Sequence, residues 1–300
     1  MGMIEGVLKR TYLYPERVDM AYLRGLKGRR LKPQEGSRPY AGYRYRMLAD
    51  IPREDLERVN AGPVDHRQAT PIQDRAALAE PGYLGLETGY TVMPDGSGLA
   101  ATLVRMPGVT PEMLDWWFSW HCLEDLRYVI WCPVAHYAVR ARDPGRHLDR
   151  SGIPLRERIY GSVHYVTERV HTRFPQRIKI EFLSPEEFGI PAPGEEGSGF
   201  ARAYCANVYL AGINLPVTVF LHAVRATEEG VEYRSRYWSG YTMRDGRPVR
   251  VKLSPVVDPL ELARGTCIHS LMEYNHLASI LPEIYREQGG RVEPVDRAAC

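Results

Sequence analysis

The 300-residue chain lacks the features that mark several common classes of protein. Its five cysteines are scattered and form no Cys-x-x-Cys pair, which excludes a zinc ribbon and a redox-active dithiol motif. No apolar run approaches the roughly 18 residues that a membrane-spanning helix needs, and the first residues lack the apolar core of a secretory signal. We therefore expect a cytoplasmic protein with reduced cysteines and no contact with membranes.

The chain also lacks an excess of either positive or negative charge. The chain has 39 Lys and Arg against 37 Asp and Glu, a formal net charge of +2. A nucleic-acid-binding protein usually shows a clustered basic excess, so we expect no nucleic-acid partner. The sequence also contains no Gly-x-Ser-x-Gly elbow, no phosphate-binding P-loop, no dinucleotide-binding glycine fingerprint placed between a strand and a helix, and no His-Glu-x-x-His motif. These absences exclude the commonest hydrolase and nucleotide-binding templates.

The chain changes in character near residue 80. Residues 1–80 are polar and rich in Arg, Pro and Tyr, with short helix candidates such as 52–59. We predict an extended or partly helical arm that packs on another surface, for example a second subunit. Residues 81–300 form the second predicted domain. There Thr110, Pro111 and Glu112 predict the start of a helix, because they supply an N-cap, an N1 proline and an early acidic residue.

Alternating apolar and polar residues predict an antiparallel sheet in this second domain. The predicted strands are 86–93, 99–106, 162–170, 177–182, 201–210, 216–226, 231–241 and 247–253. A long closing helix begins at Asp258 and Pro259 with Glu261 completing a capping box, and Pro282 is predicted to end or kink it. The predicted fold class is α+β, with the sheet gripping the closing helix and leaving a cavity between them.

The closing helix carries a candidate metal-binding pair. His269 and Glu273 are four residues apart, which places them on the same side of a helix and about 6 Å apart along its axis. An imidazole nitrogen and a carboxylate oxygen in this arrangement can bind one divalent metal. The alternative is an ordinary ion pair on the helix surface.

Other candidates lie elsewhere in the chain. His121 follows the aromatic block 116–120 and is either a matching metal donor or a core histidine bonded to backbone. Glu168 shares a strand face with His164 and supplies a carboxylate if that face points inward, or a solvated charge if it does not. His222 and Tyr237 lie on consecutive strands, where they can hydrogen-bond a phenolic or carbonyl oxygen or simply pack.

These residues resemble a known family, the 2,4-diacetylphloroglucinol hydrolases, which includes phloretin hydrolase. The Trp-rich block 106–121 is the most specific part of the resemblance, which covers roughly residues 70–285. The other matching features are Arg127-Tyr128, Trp131, Pro133, His136, the strand 161–168 and the late His-x-x-x-Glu pair.

The resemblance implies a zinc-dependent hydrolase that cleaves the carbon–carbon bond between an acyl group and a phenolic ring of the phloroglucinol type. We also consider a related β-diketone as the substrate of such an enzyme. The resemblance further implies a Bet v 1-like, helix-grip catalytic domain at 81–300, an N-terminal region used in dimerisation, and a small aromatic ketone as substrate. The implied metal ligands are His121, Glu168, His269 and Glu273, with Glu157 competing for the place of Glu168. The implied catalytic residues are His222, Tyr237 and Glu168.

Two departures from the family pattern predict a changed substrate. Met113 stands where the family has a tyrosine, and Glu124 where it has an asparagine. Nitrogen and oxygen ligands would also accept Mn²⁺ or Fe²⁺ in place of Zn²⁺. The alternative functions are a metal-free helix-grip carrier for a hydrophobic ligand, and a polyketide-tailoring cyclase or aldolase that uses the same cavity.

Overall fold

A computed structural model describes residues 11–195 and 198–295. Within these ranges the fold is α+β, as predicted, with a large antiparallel sheet and a long C-terminal helix. The described helices are α1 Met20–Gly25, α2 Arg53–Asn60, α3 Pro111–Trp120, α4 Asp125–Trp131, α5 Pro185–Phe188 and α6 Pro259–Glu287. Short 3₁₀ turns connect many of them.

Eight strands form one sheet in the order β1-β2-β8-β7-β6-β5-β4-β3, and every neighbouring pair is antiparallel. A separate two-stranded sheet pairs β9 with β10. The strands are β1 Gly89–Val92, β2 Gly98–Pro107, β3 His136–Ala141, β4 Val163–Glu168, β5 Gln176–Leu183, β6 Arg202–Leu210, β7 Leu215–Ala226, β8 Gly230–Ser239, β9 Tyr241–Arg244 and β10 Arg247–Arg250.

Strand β3 has no counterpart among the predicted strands. It is short, and its pairing with β4 shifts register between His136 and Ala138. Buried and exposed residues do not alternate cleanly along it, because the irregularity adds a residue on one strand. The period-of-two signal that identified the other strands is therefore weak here, although β3 forms one edge of the large sheet.

Helix α6 begins where the sequence predicts and continues past Pro282. The Asp258 carboxylate accepts a hydrogen bond from Leu260 N at 2.9 Å, so the predicted N-cap is confirmed. Of the two outcomes predicted for Pro282, an end or a kink, the first is wrong, because α6 continues to Glu287. Ile280, Leu281 and Ile284 are fully buried around the proline, and their packing offsets the hydrogen bond that proline cannot donate.

Gly265 allows α6 to approach the segment that follows β4. A Cβ atom at this position would lie 2.3 Å from His171 Cβ and 2.8 Å from His171 Cα, far inside van der Waals contact. The helix backbone therefore lies directly against the chain at this point. His269, one turn further along α6, is brought close to the end of β4.

The described part of the N-terminal arm packs on this same chain. Ala49 N donates to His276 Nδ1 at 3.2 Å, and Tyr43 OH donates to Glu287 Oε2 at 2.9 Å, so the arm contacts α6. A boundary at residue 80 and a role of the arm in dimerisation stay predictions. Among the described residues, no helix combines the length and the apolar character that crossing a membrane requires.

Candidate metal centre and ligand cavity

The structure contains a cavity between the inner face of the large sheet and α6. The space between the surrounding atoms is about 1250 Å³, a volume that includes solvent at the open mouth. Aromatic and aliphatic side chains form most of the wall, a composition typical of small-molecule sites. The ionisable and hydroxyl side chains in the wall include His121, Tyr128, His164, Glu168, His222, Tyr237, His269, Glu273 and Tyr274.

Two histidines and two glutamates meet beside this cavity. His136 Nε2 lies 3.5 Å from Glu168 Oε2 and 3.4 Å from Glu273 Oε2. His269 Nε2 lies 3.8 Å from Glu168 Oε2 and 3.7 Å from Glu273 Oε2. His136 and Glu168 are direct partners across β3 and β4, whereas His269 and Glu273 are one turn apart on α6. We call these four residues the metal-centre cluster.

Burial favours the neutral form of both histidines in the cluster. Burial lowers the pKa of His136 well below 6.5, with nearby His269 adding to the effect. Burial likewise lowers the pKa of His269 to about 4, against the opposing effect of the Arg169 backbone. The Tyr128 carbonyl lies 3.1 Å from His136 Nδ1 and accepts a hydrogen bond from its N–H, so the lone pair on Nε2 faces the two carboxylates. That Nε2 is buried and has no hydrogen-bond partner.

The Glu273 carboxylate is buried and the Glu168 side chain is 12% exposed, and neither has a Lys or Arg partner in the described part of the chain. Burial raises the pKa of Glu168 to about 7, although a hydrogen bond from Tyr128 opposes this. Burial and then the charge of Glu168 raise the pKa of Glu273. In the described part of the chain no Lys or Arg forms an ion pair with either residue, so the lone pairs converge without a cation to balance them. Neutral imidazoles and carboxylates in this arrangement fit a divalent metal.

His121 lies outside the metal-centre cluster. Its Nδ1 is 2.7 Å from Trp117 O, one turn earlier in α3, and its ring centroid is 5.9 Å from that of His164. The end of α3 therefore directs His121 towards β4, and His136 occupies the place predicted for it. Glu157 lies in a surface turn with its side chain about half exposed, so the carboxylate in the cluster belongs to Glu168.

His222 and Tyr237 line the same cavity on β7 and β8. Their ring centroids are 5.5 Å apart. His222 Nδ1 lies 2.9 Å from Ser235 Oγ, its Nε2 lies 3.1 Å from Tyr274 OH, and burial lowers its pKa to about 3. The Tyr237 hydroxyl donates to Ser270 Oγ at 3.2 Å. Both residues therefore line the cavity with their polar atoms bonded to neighbouring hydroxyl groups.

Comparison with known proteins shows the family. Residues 70–286 match the sequence model of the family described as the DAPG hydrolase PhiG domain. The chain belongs to this family. Phloretin hydrolase of Eubacterium ramulus is 31% identical over 261 residues, which are 85% of this chain and 92% of that protein. The 2,4-diacetylphloroglucinol hydrolase of Pseudomonas protegens is 31% identical over 265 residues, which are 84% of this chain and 85% of that protein.

Another 2,4-diacetylphloroglucinol hydrolase, from a Pseudomonas species, is 31% identical over 265 residues and covers 84% of this chain and 89% of that protein. Membership of the DAPG hydrolase family, predicted from the Trp-rich block, is thereby confirmed. Among solved structures, Ara h 8.0201 aligns with a TM-score of 0.36 and 10% identity over 62% of this chain and 98% of that one, which is too weak to define the fold.

In this DAPG hydrolase family member, Tyr128 is a site residue that sequence reasoning missed. Its hydroxyl donates to Glu168 Oε2, and its ring stacks on His136 with centroids 4.0 Å apart and an interplanar angle of 2°. Tyr128 and His136 both belong to the segment that resembled the family, so the signal was present. The Trp-rich block is the more distinctive string, and it predicts His121, the histidine at its end, as the ligand.

The two departures from the family pattern lie away from the cavity wall. Glu124 accepts from Arg38 Nε at 2.8 Å and from the Tyr40 hydroxyl, which ties it to the N-terminal arm. Neither Met113 nor Glu124 is among the residues that line the cavity. The geometry therefore gives these two positions no direct contact with a ligand held there.

Proposed function

We propose that this protein is a metal-dependent hydrolase that cleaves the carbon–carbon bond between an acyl group and a phenolic ring of the phloroglucinol type. The observation that carries the proposal is the buried metal-centre cluster, which opens into an aromatic cavity beside His222 and Tyr237. The names of the similar proteins support the substrate class. The arrangement of α6 on the large sheet supports a helix-grip catalytic domain.

We assign the metal to His136, His269, Glu168 and Glu273, with zinc as the ion because neutral imidazoles and carboxylates are among its usual ligands. A divalent ion held there supplies Lewis-acid polarisation of a carbonyl and lowers the pKa of water. In this assignment His136 replaces the His121 of the sequence prediction, and Tyr128 orients both Glu168 and His136.

The remaining site residues bind the phenolic ring of the substrate and transfer the proton that the reaction requires. When substrate binds, Tyr237 and His222 exchange their bonds to Ser270 and Tyr274 for bonds to the phenolic oxygens. There they stabilise the negative charge that develops as the ring carbon leaves. Water supplies a hydroxyl group to the acyl carbon, which becomes a carboxylic acid, and a proton to the ring carbon. Glu168 is the carboxylate to which we assign the movement of that proton. The apolar wall, including Phe118 and Trp131, keeps other water away.

We also propose a cytoplasmic homodimer with the arm 1–80 at its interface. The four cysteines in the described part of the chain are free and buried, which is compatible with a reducing compartment. Light scattering of the full chain and of a chain without the arm tests the assembly. An unchanged dimer in the shortened but folded chain would contradict the role of the arm.

The enzymatic proposal is tested with the full-length protein, stripped by a chelator and reloaded with Zn²⁺. We expect the stripped protein to be inactive on a monoacylphloroglucinol and the reloaded protein to release phloroglucinol and the carboxylic acid. In ¹⁸O-labelled water the acid should carry one labelled oxygen. Equal rates with and without metal, at measured metal contents, would refute a metal-dependent reaction. Binding of the phenolic ketone without turnover or metal would instead favour the carrier.

A further inference from the structure

We propose that Cys122, His147 and His164 form a second metal site, specific for thiophilic ions such as zinc and separate from the metal-centre cluster. One ligand atom from each residue can be chosen so that all three lie within 4.8 Å of one another. The exposed fractions are 2% for Cys122, 0% for His147 and 1% for His164. No residue is shared with the metal-centre cluster.

The distances in this triad suit a tetrahedral ion. His147 Nε2 and His164 Nε2 are 3.2 Å apart. Two imidazole nitrogens that each lie about 2.05 Å from one tetrahedral zinc ion are about 3.3 Å from each other. The three residues come from separate parts of the chain: a turn after α3, the turn Pro144–His147, and strand β4. An ion there would join all three.

The protein alone does not satisfy the polar atoms of the triad. A hydrogen bond between the two imidazoles uses one nitrogen of each ring, and His147 Nδ1 then remains buried without a partner. The Cys122 thiol makes only a weak bond to Ser119 O, at 3.3 Å. A buried polar ring that the protein leaves partly unpaired destabilises the fold, whereas coordination replaces the weak contacts with strong ones.

The donor atoms distinguish the two sites chemically. The triad has one sulfur and two nitrogens, whereas the metal-centre cluster has only nitrogen and oxygen. Thiolate ligands favour zinc and copper(I) over hard ions such as magnesium. On binding, the Cys122 thiol releases one proton to solvent, and the thiolate and two neutral imidazoles hold the ion. With three protein ligands the fourth position is open to water. His164 also lines the cavity and contacts Phe182, so the ion would stiffen the wall that includes these two residues.

Cobalt(II) titration of the metal-free, full-length protein tests the site. We expect two bound equivalents and a near-ultraviolet sulfur-to-cobalt charge-transfer band, which zinc removes. Cys122→Ser should lose the band and one equivalent. The control Cys205→Ser removes another fully buried thiol outside the triad and should keep both. Glu273→Gln should weaken binding at the metal-centre cluster while the band stays unchanged.

Absence of the charge-transfer band from wild-type protein at saturating cobalt would overturn the proposal. So would a band of equal intensity in folded Cys122→Ser. If that variant does not fold, the wild-type and Glu273→Gln spectra decide the question, because the metal-centre cluster contains no sulfur. Zinc should also raise the melting temperature of Glu273→Gln, and an unchanged melting temperature at saturating zinc would count against the site.

Discussion

At the scale of single residues, Tyr128 touches the metal-centre cluster at three points. Its hydroxyl donates to Glu168, its carbonyl lies 3.1 Å from His136 Nδ1, and its ring stacks on the His136 ring. Side chains that orient metal ligands in this way fix the tautomer of the histidine and the position of the carboxylate.

Tyr128→Phe should lower metal affinity or hydrolytic rate by about 10–100-fold, because Glu168 loses the donor that orients it while the stacked ring remains. Zinc titration and initial rates measure the two effects. The matched control is Tyr160→Phe, whose hydroxyl makes only a long bond to Ala203 O at 3.4 Å. If the two variants had equal zinc affinity and equal rates, the Tyr128 hydroxyl would have no role in positioning Glu168.

His136→Ala should bind zinc at the metal-centre cluster at least about 100-fold more weakly, since a ligand is lost and two buried carboxylates remain. His121→Ala should retain that metal, because His121 bonds to Trp117 O outside the cluster. Metal content after dialysis separates the two. Loss of this metal from His121→Ala but not from His136→Ala would restore the ligand set predicted from the sequence.

His276 should make the protein sensitive to acid. Burial and nearby Arg46 lower its pKa to about 4, and its Nδ1 accepts from Ala49 N. Between pH 4 and the ordinary pKa of about 6.5 the unfolded chain binds the proton more readily than the folded chain does. This residue's contribution to the free energy of unfolding is therefore complete above pH 6.5. It falls by about 3 kcal/mol as the pH drops to 4.

Urea unfolding at pH 7 and at pH 4.5 measures this effect. His276→Asn removes the titrating ring and can keep an acceptor for Ala49 N, so its stability should depend less on pH in that interval. His66→Asn changes a histidine whose side chain is about half exposed, and it serves as the control. An unchanged pH dependence in folded His276→Asn would refute the assignment.

At the scale of elements, the close approach of α6 to the chain after β4 depends on Gly265. Gly265→Ala should destabilise the protein by about 1–3 kcal/mol, because the new methyl group would overlap His171 and force the two segments apart. Thermal unfolding measures the loss. Gly25→Ala places a methyl group where nothing lies within 4 Å, so it should be neutral or slightly stabilising. If both variants unfolded at a similarly raised temperature, the contact between α6 and His171 would have room for a methyl group.

The elements that sequence reasoning predicted well are those with a strong local signal. Helix α3 begins with Thr110 Oγ1 accepting from Met113 N, and strand β4 turns the face with His164 and Glu168 into the cavity. Strand β3 was missed because its register shift breaks the alternation. Without β3, the prediction could not place His136 beside Glu168, since these two residues meet through the pairing of β3 with β4.

At the scale of the whole molecule, a partly buried polar contact joins the N-terminal arm to helix α4 and the residue before it. Glu124 accepts from Arg38 and from the Tyr40 hydroxyl, and Arg127 Nε lies 3.1 Å from the same hydroxyl. Arg38→Met should cost about 2 kcal/mol of unfolding free energy, because it removes a charged hydrogen bond and leaves Glu124 less well compensated.

The urea midpoint, followed by tryptophan fluorescence and by circular dichroism, measures this cost. Arg53→Met breaks an exposed ion pair with Glu57 and should cost less than about 0.5 kcal/mol. Equal midpoints for the two variants would mean that the contact between arm and core contributes little to stability.

The sequence by itself determined the α+β class, most of the strands, the start of α6 and the pairing of His269 with Glu273, because these depend on periodicity and capping between near neighbours. Only the tertiary structure decided that His136 meets that pair, that Glu168 rather than Glu157 faces it, and that Cys122, His147 and His164 lie together. These contacts join residues distant in the chain. Strand register and the approach of α6 at Gly265 set their positions, and no local pattern encodes either.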